Sequence, residues 1–276
     1  MSEEAVYDAL VLVLPEAYRA LQEAGHPKTA NFDNLKRDLP FLVATANERL
    51  KGMGISVDDS QLQEFFRYSI TALIRSYRDG DWRPYVFMNE LFYEVLPVKR
   101  ALEWVLNTAP LPPSPNIGEI NNVTPLVLAR VASRVGGRQV LMLERANLEN
   151  TLFREITDEY VRRYSMNLTL VSLENAQEVD KLRESLDMFF AGSLGGWKLG
   201  WRSIVSLAML LLKRRGILAL LLPLNSREGL KTLLGLFDVP EYPSLDQVAG
   251  DLQKSRFTNI RVNRERGFAA VVAVKR

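Results

Sequence analysis

Residues 117–125 have the pattern of a strand-to-helix junction that binds a ligand. A short apolar run begins at Ile117, Glu119 and Asn121 follow, and Pro125 leads directly into a helical pattern. In a βαβ unit the ligand usually lies at such a junction, because the helix N-terminus presents unpaired N–H groups and the positive end of its dipole. These turns normally need glycine, and the turn after Ile120 has none. The stretch predicts a ligand-binding turn of altered chemistry.

The composition excludes several kinds of catalysis. The chain has no cysteine and a single histidine, His26, which lies between Gly25 and Pro27 in a predicted surface turn. Disulfides, thiolate catalysis, cysteine metal sites, histidine metal clusters and a histidine-based triad within this chain are therefore excluded. No catalytic residue and no metal site can be assigned from the sequence.

Size and charge set broad bounds on the protein. With 276 residues and 47% hydrophobic content, the chain can build a sizeable core in one or two domains. The 35 basic and 33 acidic residues are nearly balanced, so the overall charge makes a nucleic-acid partner unlikely. Arginine outnumbers lysine 25 to 10, which together with the absent cysteine weakly indicates a thermophile.

Neither a targeting segment nor a membrane span is predicted. Met1–Glu4 is acidic where a signal peptide would be basic. The most apolar stretch, Ile204–Leu224, is interrupted by the basic run Lys213–Gly216. We expect a cytoplasmic protein without membrane contacts.

Residues 1–109 are predicted to form an all-helical N-terminal domain. Apolar residues recur at helical spacing from Val6 to Leu21 and again from Leu35 to Leu50, and glycines mark the helix ends. Ten aromatic residues between Phe65 and Trp104 fit core packing, a hydrophobic substrate pocket or a partner surface. Four interleaved arginines (67, 75, 78 and 83) also leave an RNA-facing patch open.

From residue 110 onward the pattern changes to alternating strands and helices. The predicted strands after the junction are 138–143, 167–171, 187–191, 217–222, 258–262 and 268–274, and the predicted helices are 126–135, 147–164, 201–213, 227–237 and 245–254. This alternation predicts a second, α/β domain over residues 110–276. Its sheet is doubly wound and parallel, and a C-terminal hairpin adds an antiparallel strand.

Several segments of this domain resemble class I S-adenosylmethionine-dependent methyltransferases. Leu212–Leu220 resembles the family's basic turn before the fifth strand, and Ser244–Ile260 with Phe268–Lys275 resembles its closing helix and hairpin. Ser185–Ala191 is similar to its fourth strand and Leu143–Ala146 to the end of its second. The resemblance covers about residues 116–276 and implies a Rossmann-like, seven-stranded sheet. The family often adds a helical domain that covers the site or forms a homodimer.

The first motif of the family, an acid followed by alternating glycines, falls on Glu119–Pro125. Glu119 keeps the acid, while asparagine, valine and proline occupy the glycine positions 121, 123 and 125. Asn121 tolerates a turn conformation, and Thr124 and Pro125 suit a helix N-cap and first helical position. Val123 places a β-branched side chain where the backbone should approach the ligand. The motif is degenerate.

The resemblance also implies the other cofactor contacts. Glu144 stands where the family's carboxylate takes the ribose hydroxyls, and Glu174 with Asn175 where an acid or amide contacts adenine. Ala191 and Gly192 end the fourth strand beside the cofactor's reactive end. The full set of implied S-adenosylmethionine contacts is Glu119, Asn121, Thr124, Glu144, Glu174, Asn175, Ala191 and Gly192.

The segment after the fourth strand is where the family often contacts its acceptor. Its glycines suggest a mobile loop, and Trp197 and Trp201 fit either an acceptor pocket or packing.

Three functional hypotheses follow from the sequence. The first is an S-adenosylmethionine-dependent methyltransferase with an altered cofactor loop and an unknown acceptor. Methyl transfer needs mainly alignment of two reactants, so the lack of histidine and cysteine at a site is compatible with it. The second is a non-catalytic homologue that has lost cofactor binding and acts as a scaffold or binding module. The third is an RNA-associated protein that uses the arginine-bearing helices.

Overall fold

The computed structural model of the chain describes residues 48, 51, 93, 96–121, 124–224, 239–265 and 268–276. Within these residues, Arg100–Leu224 and Val239–Arg276 form one compact unit. The prediction of an all-helical domain falls mostly on residues outside the description. Glu48, Lys51 and Tyr93 are its isolated described positions before residue 96, and each is helical. The boundary near residue 110 stays a prediction, as does the helix at 227–237.

The compact unit contains a seven-stranded mixed sheet with the strand order β3-β2-β1-β4-β5-β7-β6. The strands are β1 Asn116–Ile120, β2 Arg138–Leu143, β3 Leu168–Ser172, β4 Leu186–Ala191, β5 Leu212–Pro223, β6 Phe257–Glu265 and β7 Phe268–Lys275. The described helices are α1 Leu96–Thr108, α2 Leu126–Val135, α3 Arg145–Glu149, α4 Thr151–Tyr164, α5 Ala176–Asp180, α6 Leu194–Lys198, α7 Gly200–Leu211 and α8 Leu245–Lys254.

The central strands are parallel and are buried on both faces. β1 pairs in parallel with β2 and β4, and β4 pairs in parallel with β5. Phe189, Phe190 and Leu218–Leu221 have no exposed surface, which is why these strands are continuous apolar runs rather than alternating ones. β7 pairs antiparallel with both β5 and β6. The predicted α/β sheet with a C-terminal antiparallel hairpin is confirmed.

The single helix predicted over residues 147–164 is wrong, because two helices occupy the region. α3 ends at Glu149, and α4 begins at Thr151. Asn150 separates them with an extended backbone, and its Oδ1 accepts a hydrogen bond from Phe153 N at 3.0 Å. Asparagine is a strong N-cap residue, so this local bond starts a new helix within a continuous apolar pattern.

The basic run Lys213–Gly216 is part of β5 rather than a turn between a helix and a strand. α7 ends at Leu211, two residues earlier than predicted, and β5 begins at Leu212. Leu212 pairs with Leu186, the next pair along these two strands is Met188 with Ile217, and the register shifts between them. The run is therefore a bulge. Arg215 in this bulge has a φ of 67°.

Lys275 joins the end of β7 to the end of α7. Its side chain is almost fully buried, and its Nζ donates to the carbonyl oxygens of Met209 and Leu212, each at 2.7 Å. It also lies 3.3 Å from Glu184 Oε1. A buried ammonium is tolerated only when its protons are taken up in this way, so Lys275 anchors the two elements.

No helix in the described ranges is both long and apolar enough to cross a membrane.

Candidate functional site at the carboxyl edge of the sheet

Four parallel strands end at the same edge of the sheet. The chain leaves β1 toward β2 on one side, while β4 lies on the other side of β1. The point where the strand order reverses forms a crevice in open α/β sheets, and ligands bind there. The fold thus brings the ends of β1, β2, β3 and β4, with the predicted residues 119–121, 144, 174–175 and 191–192, to one edge.

Glu119 and Asn121 form a buried polar pair at the end of β1. Asn121 Nδ2 donates to Glu119 Oε1 at 3.0 Å, and Asn121 N donates to Met142 O at 3.2 Å. Both side chains have no exposed surface. Glu119 Oε2 accepts no hydrogen bond from any residue that the structure describes. A buried carboxyl oxygen without a partner is costly and is the kind of atom that a ligand can satisfy.

Burial controls the ionisation of Glu119. It raises the pKa of this carboxyl from 4.5 to about 8, because removal from water disfavours the charged form. The hydrogen bond from Asn121 lowers the pKa, and the backbone of Leu128 in the first turn of α2 has a smaller effect in the same direction. At neutral pH the carboxyl is therefore mainly protonated.

The helix after β1 begins at Leu126, where the apolar pattern predicts it, so Pro125 is not its first residue. Pro125 is the N-cap residue of α2, with a ψ of 33°, and it makes no side-chain cap hydrogen bond. Its carbonyl accepts from Ala129 N at 2.8 Å, the bond that the N-cap carbonyl makes in a helix. The capping role predicted for Thr124 and the first helical position predicted for Pro125 are therefore wrong. Thr124 is fully buried, and residues 122 and 123 lie outside the description.

The ends of β2 and β3 carry the other two predicted carboxylates. Glu144 is half-buried and is the N-cap residue of α3, with no side-chain cap bond. Glu174 is exposed, and its Oε2 accepts from Arg145 N at 2.9 Å and from Ser172 Oγ at 2.7 Å. The Ser172 hydrogen bond is the main reason why the pKa of Glu174 lies below its ordinary value. Glu174 thus ties the segment after β2 to the end of β3.

Asn175 has a local structural contact. It is exposed, it is the N-cap residue of α5, and its Oδ1 accepts from Glu178 N at 3.3 Å. The three predicted carboxylates differ in exposure, because Glu119 is buried, Glu144 is half-buried and Glu174 is exposed.

The end of β4 is tightly packed. Ala191 is fully buried, and a Cβ atom at Gly192 would lie 2.4 Å from Phe190 Cζ and 2.8 Å from Leu221 Cβ. Glycine is required there because no side chain fits between β4 and β5. Packing alone accounts for the glycine.

Ser193 is a residue of this edge that the sequence analysis did not identify. Its Oγ donates to Ile120 O at 2.9 Å and accepts from Gly196 N at 3.4 Å, and the residue is almost fully buried. Ser193 is the N-cap residue of α6, so the sequence signal that could have identified it is a serine directly before a helix. The hydroxyl joins the segment after β4 to the last residue of β1 across the point where the strand order reverses.

The segment after β4 is a short helix, α6, rather than a loop. Trp197 is buried, and its Nε1 donates to Leu221 O at 2.7 Å. Tyr242 Oη donates to Trp197 O at 3.0 Å. Trp201 Nε1 donates to Asp251 Oδ2 at 3.1 Å. Of the two roles considered for these tryptophans, the structure supports packing.

Ser193→Ala should destabilise the protein by about 2 kcal/mol, because it removes the buried hydrogen bond to the Ile120 carbonyl and the N-cap of α6. Urea denaturation followed by circular dichroism measures the change. Ser133→Ala is the control, since Ser133 Oγ donates only to Ala129 O within the same helix. Equal effects of the two substitutions would contradict this role of Ser193.

No family model and no curated protein matches the sequence of the chain. Solved structures do resemble it. A carbon methyltransferase, CurJ, superposes with a TM-score of 0.56 at 14% identity, over 97% of this chain and 91% of its own. An O-methyltransferase family protein from Burkholderia thailandensis has a TM-score of 0.54 at 9% identity, over 75% and 71% of the two chains.

A third similar structure was solved with a cofactor bound. Phosphoethanolamine N-methyltransferase 2 of Haemonchus contortus, in complex with S-adenosyl-L-methionine, has a TM-score of 0.52 at 12% identity, over 73% of this chain and 59% of its own. Together with the seven-stranded sheet and its antiparallel hairpin, these likenesses define the fold as methyltransferase-like, of the class I type.

Proposed function

We propose that the protein binds S-adenosylmethionine at the carboxyl edge of β1, β2 and β4 and transfers its methyl group to an acceptor that remains to be identified. The observation that supports this proposal best is the Oε2 atom of Glu119, which is fully buried where the strand order reverses and accepts no hydrogen bond from the described part of the chain. A buried acceptor at a ligand-binding crevice fits a ligand that brings a hydrogen-bond donor.

The residues of the edge fit the polar groups of this cofactor. Glu119 Oε2 can accept a hydrogen bond from an ammonium group, and a cation beside the carboxyl favours its charged form. Glu144, half-buried at the end of the neighbouring strand, can accept hydrogen bonds from paired hydroxyl groups. When bound, the cofactor supplies an already activated methyl group. The role left to the protein is to bind and align the two reactants.

A second function, a non-catalytic scaffold or binding module, is favoured by a different observation. The polar groups of Asn121 are used within the chain, because its side chain donates to Glu119 and its amide to Met142. Asn121, Thr124 and Ala191 are all fully buried. A buried turn whose polar groups form hydrogen bonds within the chain can remain folded without a ligand.

Isothermal titration calorimetry with S-adenosylmethionine and S-adenosylhomocysteine distinguishes the two functions. At about pH 6.5 the Glu119 carboxyl is protonated, since its pKa is about 8. A bound ammonium group lowers that pKa, so binding should release a proton, and the measured heat should depend on the ionisation enthalpy of the buffer. Glu119→Gln should abolish the proton release and weaken binding about tenfold.

The exposed Glu155 on α4 provides the control substitution, Glu155→Gln, which should leave binding unchanged. An absence of heat with folded protein at high micromolar ligand would exclude the enzyme and leave the scaffold. If Val123→Gly then created binding, the degenerate first motif would be the cause of the loss.

A further inference from the structure

Four arginines gather at the edge of the sheet opposite to the candidate site. Arg214 and Arg215 lie near the start of β5, Arg276 follows the end of β7, and Arg256 precedes β6. We call these four residues the arginine corner. All four are exposed.

The pairing of the strands shows that the arginine corner is one surface. Ile217 of β5 pairs antiparallel with Val274 of β7. Arg215 is two residues before Ile217 and Arg276 is two residues after Val274, so both lie toward the same edge of the sheet. Arg276 N donates to Arg256 O at 3.0 Å. The chain segments that carry the four arginines therefore lie side by side at this edge of the sheet.

The positive charges of the corner are not neutralised by its neighbours. The nearby acids are already engaged, Asp187 with Lys213 at 2.8 Å and Glu184 with Lys275 at 3.3 Å. No described residue forms an ion pair with any arginine of the corner.

The protein keeps these arginines at a cost to its own stability. Arg215 has a φ of 67° and Arg256 a φ of 64°, in the left-handed region that glycine and asparagine tolerate better than arginine. Like charges on adjacent strands repel each other as well.

We propose that the arginine corner binds the phosphate backbone of a nucleic acid. Guanidinium groups present paired donors that match phosphate oxygens, and several of them on one exposed surface can contact several phosphates. A membrane surface fits less well, since it also requires apolar side chains to insert. The exposed large hydrophobic residues of the described part are Val135 and Val262, and neither belongs to the corner.

The proposal is independent of cofactor binding at the opposite edge. It also differs from the expectation drawn from the balanced overall charge, because the corner combines residues that are distant in the sequence.

Fluorescence anisotropy with a short, labelled single-stranded RNA of mixed sequence tests the proposal on the full chain. Arg215→Asn with Arg256→Asn should weaken binding about tenfold at low salt and reduce the slope of log K against log salt by about 1.4, the value for two lost phosphate contacts. Asparagine tolerates the left-handed conformation, so the melting temperature should stay the same or rise, which separates lost binding from unfolding.

The control variant removes two positive charges from a different surface of the protein. Arg162→Gln with Arg163→Gln on α4 replaces two exposed arginines and should leave RNA binding unchanged. The proposal would be overturned by an absence of RNA binding at low salt, by equal weakening in both double variants, or by binding only to vesicles that contain phosphatidylserine.

Discussion

Glu119→Gln should remove most of the loss of stability that the wild-type protein shows as the pH rises from about 5 to about 8. The folded pKa of Glu119 is raised to about 8 from an unfolded value of 4.5. Between these values the folded state holds a proton that the unfolded state has released, so the free energy of unfolding falls as the pH rises. The full shift corresponds to at most about 5 kcal/mol, and glutamine mimics the protonated carboxyl without titrating.

Urea denaturation of both proteins at pH 5, 6, 7 and 8 measures the effect. The two stabilities should be similar at pH 5, and the variant should be the more stable protein at pH 8. Glu144→Gln, at the end of the neighbouring strand, is the matched control and should follow the pH dependence of the wild type. Parallel curves for wild type and Glu119→Gln would show that burial does not set the pKa of this carboxyl.

Gly137→Ala should destabilise the protein by about 4 kcal/mol or more, or prevent folding. Gly137 has a φ of 86°, and a Cβ atom there would lie 2.1 Å from Pro115 O and 2.7 Å from Pro115 N. Both contacts are with backbone atoms, which cannot rotate away as a side chain can. Relief requires the start of β2 to separate from the residue before β1, at the point where Arg138 N donates to Pro115 O at 3.0 Å.

Substitutions at two other glycines separate the energetic cost of this clash from the cost of the backbone angles. Gly136 has a φ of 64° with nothing within 4 Å of an added Cβ, so Gly136→Ala should cost about 1–3 kcal/mol from its conformation alone. Gly250 lies in α8 with open space around it, so Gly250→Ala should stabilise the protein by about 1 kcal/mol. Denaturation of the three variants should reproduce this order, and a Gly137→Ala cost no larger than that of Gly136→Ala would contradict the backbone clash.

Gly137 and Glu119 lie at opposite edges of the sheet. The Gly137 contact lies at the amino end of β1 and β2, where the structure is closed by backbone packing. The Glu119 carboxyl lies at the carboxyl end of β1, where its buried Oε2 atom has no hydrogen-bond partner among the described residues. The contrast is typical of parallel α/β sheets, whose binding residues gather at the carboxyl ends of the strands.

Much of the fold could be predicted because it depends on local patterns. The apolar run Ile217–Leu222 and the run Phe268–Val274 can only be buried strands, and Leu126–Val135 has one apolar face. The order of several short segments resembles that of class I methyltransferases, and this resemblance predicts the sheet and its closing hairpin. Where a local signal competed with the apolar pattern, the prediction failed. Asn150 starts a new helix in the middle of a continuous helical pattern.

The candidate site was predictable in position but not in chemistry. Strand ends can be read from the sequence, and the family resemblance then predicts that Glu119, Glu144 and Glu174 lie at one edge. The bond between Asn121 and Glu119, and that between Ser193 and Ile120, depend on how the chain is folded. Ser193 and Ile120 are 73 positions apart, a separation over which no periodic pattern carries information.

The sequence by itself therefore determined the class of fold, the strand ends that meet at one edge of the sheet and the absence of glycine from the turn after β1. The tertiary structure alone decided that Glu119 is buried and protonated, that Lys213–Gly216 is a bulge, and that four arginines share one corner. The physical reason is the range of the interactions. Hydrophobic periodicity and capping act over a few residues, whereas burial, a raised pKa and the summed field of several charges arise only when distant segments meet.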